Sequence, residues 1–123
     1  MPLSFDFEDF DPAASLEGET PSGEHLRLSD QGRAVRSALR DLREEARRIE
    51  RKADEGDFAD GGWPAARSIW KEVRDRALEI LKTRSHDLEI AALCIEALAR
   101  TDGFLGLAFG FEMVRAMAEA QWD

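Results

Sequence analysis

A chain of 123 residues with 26 acidic against 17 basic side chains, net charge -9, is long enough for one hydrophobic core, and its overall acidity argues against nonspecific nucleic-acid binding, which depends on clustered cations neutralising phosphates. Its single cysteine excludes an internal disulfide, and its longest uncharged stretch, Gly103 to Phe111, is far too short to span a bilayer. The start has neither the basic segment nor the apolar run of an export signal, so a soluble protein of the reducing cytoplasm is expected.

The charge is arranged in blocks. Residues 1–30 carry eight acids and one base, whereas residues 31–53 carry four acids and eight bases. Residues 1–29 hold three of the four prolines and an acidic, aromatic opening, Phe5-Asp6-Phe7-Glu8-Asp9-Phe10-Asp11-Pro12. This composition cannot build a core by itself and reads as an irregular arm, docked on its own domain or on a partner. Residues 30–123 form a single helical domain.

From Asp30 to Ala53 the residues Val35, Ala38, Leu39, Leu42, Ala46, Ile49 and Ala53 recur at three- and four-residue steps, predicting an amphipathic helix capped by Ser29 or Asp30 and stopped near Gly56. A polar loop follows to Gly61-Gly62-Trp63-Pro64. The second helix, about Ala65 to Lys82, puts Ala66, Ile69, Trp70, Val73, Ala77, Ile80 and Leu81 on one face.

Ser85 or Asp87 then caps a third helix to about Arg100, with Leu88, Ala91, Ala92, Ile95, Leu98 and Ala99 on one face and much of the remainder apolar. A helix apolar on most sides belongs at the centre of a bundle. Asp102-Gly103 ends it, and a fourth helix runs from Phe104 to Gln121. Gly106 and Gly110 lie on one face of that helix. Each costs roughly 1 kcal/mol relative to alanine, which close approach of a neighbouring helix, the third, would offset, the alternative being a ligand against the bared backbone. The expected architecture is all-α, about four main helices in antiparallel hairpins.

No catalytic, cofactor-binding or metal-binding residue is nominated. His25 and His86 are the only imidazoles, neither in His-Glu-x-x-His spacing, and there is no phosphate loop, dinucleotide fingerprint or Gly-x-Ser-x-Gly elbow. Acid-base pairs can still assemble from distant positions, and Asp87 at a helix start is the first carboxylate to examine. A structural role is adequate for it, because a carboxylate there meets free amides and the positive end of the helix dipole.

Candidate binding residues are the stripe Arg36, Arg40, Arg43 and Arg47, within a series from Arg33 to Arg51, and Trp63, which stands between Gly62 and Pro64. The stripe reads as a solvated face, as a surface for the chain's own acidic arm, as a site for an acidic protein partner, or as a nucleic-acid contact. Trp63, Trp70 and Trp122 all read first as core or hairpin-closing residues, Trp63 being the one expected to be exposed.

With these residues placed, the chain from Pro21 to Asp123 resembles the N-terminal, ImpA-type domain of the TssA proteins of type VI secretion systems. The resemblance rests on Ser22-Gly23-Glu24-His25-Leu26-Arg27, on Trp70 with its following apolar residues, and on Ser85-His86-Asp87-Leu88. It continues through Gly103, Gly106-Leu107 and Gly110 to Trp122-Asp123. Ser22, His25 and His86 depart from the cysteine, acid and lysine more usual there. The resemblance implies a helical, non-enzymatic module of a bacterial cytoplasmic assembly protein. Its partners would be other secretion components, namely baseplate, tail tube, sheath or membrane complex, without nucleic acid or membrane insertion. It also implies that oligomerisation lies in a C-terminal region absent here, and that Trp70, Leu88, Gly103, Gly106, Gly110 and Trp122 hold the fold. A generic helical adaptor shares every physical feature read from the residues, and a carboxylate-based enzyme is the remaining alternative.

Overall fold

The computed structural model describes residues 10–16 and 22–122. A 3-10 turn at Leu26–Leu28 leads into α1 (Asp30–Asp54), α2 (Gly62–Thr83) and α3 (Leu88–Gln121). The last is two helical arms joined at Gly103, whose φ of 63° and ψ of -143° break the helix. The chain folds back there: Gly106 meets Leu98, Gly110 meets Ile95, and Gln121 and Trp122 reach His86. Four helical rods therefore arise from three helical elements, and the protein is all-α.

Two of the three starts follow from a side-chain cap. Ser29 Oγ accepts from the Gly32 amide at 2.9 Å, so Ser29 caps α1, and Asp30 instead pairs with Arg33. Asp87 Oδ1 accepts from the Ile90 amide at 3.1 Å and caps α3. Helix α2 begins at Gly62, three residues before the expected Ala65, and draws Trp63 and Pro64 into its first turn, where a missing amide costs nothing.

Helix α2 packs against both α1 and α3, while the backbones of α1 and α3 scarcely approach one another. The core joins Leu39 and Ala46 of α1 to Trp70, Val73, Ala77 and Leu81 of α2 and to Ile90, Leu98, Phe109, Met113 and Met117 of α3, with Phe10 from the arm. Cys94 is buried there, and burial pushes its thiol up to about 12. Leu88 is a correction: it is 66% exposed in the first turn of α3 and does not hold the core. Ala92, expected on the same buried face, and Ala38 of α1 are also exposed. The apolar face of α3 runs instead through Ile90, Leu93, Ala97 and Leu98.

The two helical glycines mark the closest approach. A Cβ on Gly106 would stand 2.3 Å from the Leu98 carbonyl oxygen, and one on Gly110 would stand 2.9 Å from Ile95 Cγ1. Leu107 between them is half-buried. Backbone cannot retreat as a side chain can, so the first constraint is the harder one.

Residues 22–28 are stitched to the body. The Glu24 amide donates to the Arg84 carbonyl at 3.0 Å and the His86 amide donates to the Ser22 carbonyl at 2.8 Å, a short bridge that pairs Gly23 with the buried Ser85. Gly23 has φ of 87°, and a Cβ there would stand 2.2 Å from the Arg84 oxygen. Glu24 pairs with Arg84 at 2.5 Å, and Leu26 is fully buried. At the same end Trp122 Nε1 donates to the His86 carbonyl at 3.2 Å, and Gln121 Nε2 donates to the Ala14 carbonyl at 2.7 Å, tying arm to body. Phe5 and Phe7 lie outside the described residues.

Candidate docking surfaces

The arginine stripe of α1 meets acids from another helix. Arg36 bonds Glu89, with Arg40 Nε 3.2 Å from the same carboxylate. Seven residues on, Arg43 donates to both oxygens of Glu96 at 2.5 and 3.2 Å, with Arg47 at 3.8 Å. A further seven along α1, Glu50 accepts from Arg100 at 3.0 Å. The rungs climb α1 and the first arm of α3 in the same direction, so these two rods run parallel. Long side chains bridge a gap that their backbones leave open.

This pairing changes the role of the stripe. The Arg36 side chain is only 11% exposed and also lies 3.9 Å from Asp87 Oδ1. The hydrogen bond it donates to Glu96 holds the Arg43 guanidinium above its ordinary pKa, outweighing the opposite effect of burial. Arg36 and Arg43 thus belong to an interhelical seam, because a cation closing a half-buried pair has no free charge to offer. Arg40, half-exposed, and Arg47 form its outer edge. Asp87 is occupied as cap and seam neighbour. The sequence carried a usable signal for this: Glu89 and Glu96 repeat the seven-residue step of Arg36 and Arg43, as parallel neighbouring helices require.

The opposite case is the start of α2. Trp63 is 51% exposed and rests against Phe58, ring centroids 5.5 Å apart and planes tilted by 59°. Trp63, Pro64, Arg67, Ser68 and Lys71 line one wall of a groove of about 510 Å³, with Trp70 as floor and Glu50 and Arg100 opposite. The floor is tightly fixed: Trp70 is fully buried, Nε1 donates to Glu50 at 2.9 Å, and the Arg100 guanidinium lies 4.5 Å over the ring. Arg67 and Lys71 were not legible as site residues from apolar periodicity, which places them on the polar face. The signal that does mark Arg67 is the lack of any acid three or four positions away.

His86, which stands where a lysine is more usual in the resemblance, is 2% exposed. Its Nδ1 is bonded to Gln121 Oε1, and its Nε2 has no hydrogen-bond partner. Among the described residues no cluster of three or more metal-ligating side chains occurs, and no helix is long and apolar enough to cross a membrane.

A small all-α domain with a glycine-hinged helical hairpin and backbone-stitched lead-in defines the class, and comparison supplies the family. The model for "ImpA, N-terminal, type VI secretion system" matches residues 13–123. The chain belongs to that family. It is similar to "Type VI secretion system component TssA1" of Pseudomonas aeruginosa strain PAO1, 35% identical over 79 residues, covering 64% of this chain and 23% of the relative. The matched stretch is thus under a quarter of that protein's length. No solved structure matches the chain with comparable significance.

Proposed function

We propose that this domain is a non-enzymatic docking module of a type VI secretion assembly protein, acting at the cytoplasmic side on baseplate, tail tube, sheath or membrane-complex components. The observation that carries the reading is the half-exposed Trp63, held at a helix start beside Arg67 and Lys71, which have no acidic partner among the described residues, in a chain of the ImpA family. Exposed aromatic side chains on fixed elements are the usual anchors of protein interfaces, since they bring large area at low ordering cost. The outer edge of the seam, Arg40 and Arg47, would add long-range charge steering, while Arg36 and Arg43 serve the helical frame rather than the contact.

The test is a panel of purified baseplate, tube, sheath and membrane-complex proteins of the same secretion system, titrated against the 123-residue chain at low and moderate salt. Saturable binding to one component, weakened by Trp63→Ala, is the expected result. A folded domain that binds none of them at tens of micromolar would overturn the reading.

A further inference from the structure

We infer that the groove at the start of α2 recognises an acidic peptide segment carrying an aromatic side chain. The inference rests on the docking role proposed above and gives it a partner chemistry. Of the four charged residues lining the groove, Arg67, Lys71 and Arg100 are basic and Glu50 is acidic, so the lining is cationic on a chain of net charge -9. One Glu50 oxygen already accepts from both Trp70 Nε1 and Arg100 Nε. What remains unneutralised is on α2.

Arg67 gives one nitrogen to the Thr101 carbonyl at 2.8 Å, a neutral acceptor, and has no carboxylate partner among the described residues. Lys71 has none either: the acid one turn ahead of it, Asp75, is taken by Arg74 at 2.9 Å. Elsewhere most cations of this domain are paired across helices or along them, as with Arg43, Arg48, Arg76 and Arg115. Two adjacent exceptions lining one groove leave a charge that an incoming carboxylate would complete.

Spacing specifies the ligand further. Trp63, Arg67 and Lys71 form a row one turn apart on α2, spanning roughly 12 Å at 1.5 Å per residue. An extended peptide covers that distance in about four residues. An aromatic side chain stacked on the Trp63 face therefore places acids two and four residues away over Arg67 and Lys71. The tilted Phe58 ring behind Trp63 fixes the stacking surface before the ligand arrives. A nucleic acid would use the same stacking and charge, but the acidity of the remaining surface repels a long polyanion.

The probe is a fluorescent short peptide with aspartates two and four residues after a single phenylalanine, Phe-Gly-Asp-Gly-Asp, titrated against the 123-residue chain by anisotropy. Expected is saturable binding that weakens several-fold between about 50 and about 200 mM salt, and at least ten-fold on Lys71→Glu or Trp63→Ala with the melting temperature unchanged. A probe with alanine in place of phenylalanine should lose most of its affinity. Undiminished binding by Lys71→Glu, failure to saturate, or tighter binding of an oligouridylate would overturn the inference. If the peptide fails while the wild-type domain still captures a secretion component, the groove chemistry falls and the docking role stands. If the peptide behaves as expected while the panel yields nothing, the docking role falls instead.

Discussion

The seam between α1 and α3 and the groove on α2 are built from the same material, arginine and lysine at one-turn spacing beside tryptophan, and they end in opposite states. In the seam each cation found a carboxylate on a helix far away in sequence: Arg36 with Glu89, Arg43 with Glu96. In the groove Arg67 and Lys71 have none among the described residues, and their neighbouring indole is half in solvent. What separates a structural stripe from a binding stripe is thus the occupancy of the facing helix, which periodicity along one helix does not report.

The sharpest way to break the contrast is through Trp70, which is groove floor and, through Glu50 and Arg100, the last rung of the seam. Trp70→Ala should cost about 3–5 kcal/mol, the range for a buried aromatic that leaves a cavity. It should also release Glu50 and Arg100, so peptide affinity and stability should fall together in denaturant titrations with a binding readout. Next is Gly106→Leu, expected to cost about 3 kcal/mol because backbone stands 2.3 Å from the new Cβ. Gly110→Leu should cost less, about 1–2 kcal/mol, since Ile95 can turn aside. Equal melting temperatures for the two variants would contradict the hairpin packing.

Smaller effects test the seam itself. Glu96→Gln removes a half-buried carboxylate that serves Arg43, Arg47 and Arg100 and should cost about 1–2 kcal/mol. High salt should narrow the gap to wild type only partly. The smallest expected change is at the loop before α2. Hydrogen bonds from Arg48 and then Lys52 hold Asp60 below its ordinary 3.8. A depressed carboxylate stabilises the folded form above its unfolded pKa and loses that contribution as pH falls through its folded one. Acidification below about pH 4 should therefore loosen this loop, read as a change in Trp63 fluorescence beside Phe58, and Asp60→Asn should remove the transition.

The helices were largely legible in sequence because their signals are local. Ser29, Asp87 and Gly103 mark ends, and the buried series from Leu39 to Ile49 and from Ala66 to Leu81 appear at the expected steps. Gly106 and Gly110 were legible too, through the cost of placing glycine in a helix. Leu88 was misread because the first arm of α3 turns its Ile90, Leu93, Ala97 and Leu98 side to the core, which leaves Leu88 and Ala92, four apart, on a side facing solvent. The arginine stripe was read as a surface because its acids lie 53 residues away. Gly32 was not singled out, although a Cβ there would stand 2.2 Å from the Leu26 carbonyl oxygen. The sequence marks the glycine but not the turn that crosses it.

The most direct measurement compares Arg43→Glu with Lys71→Glu, recording thermal midpoint and affinity for the acidic aromatic peptide on each. Arg43→Glu should lower the midpoint by several degrees while binding persists in the folded protein, and Lys71→Glu should abolish binding while the midpoint holds. The reverse, an Arg43→Glu protein of unchanged stability that no longer binds beside a Lys71→Glu protein that does, would return docking to the stripe and contradict the division between seam and groove.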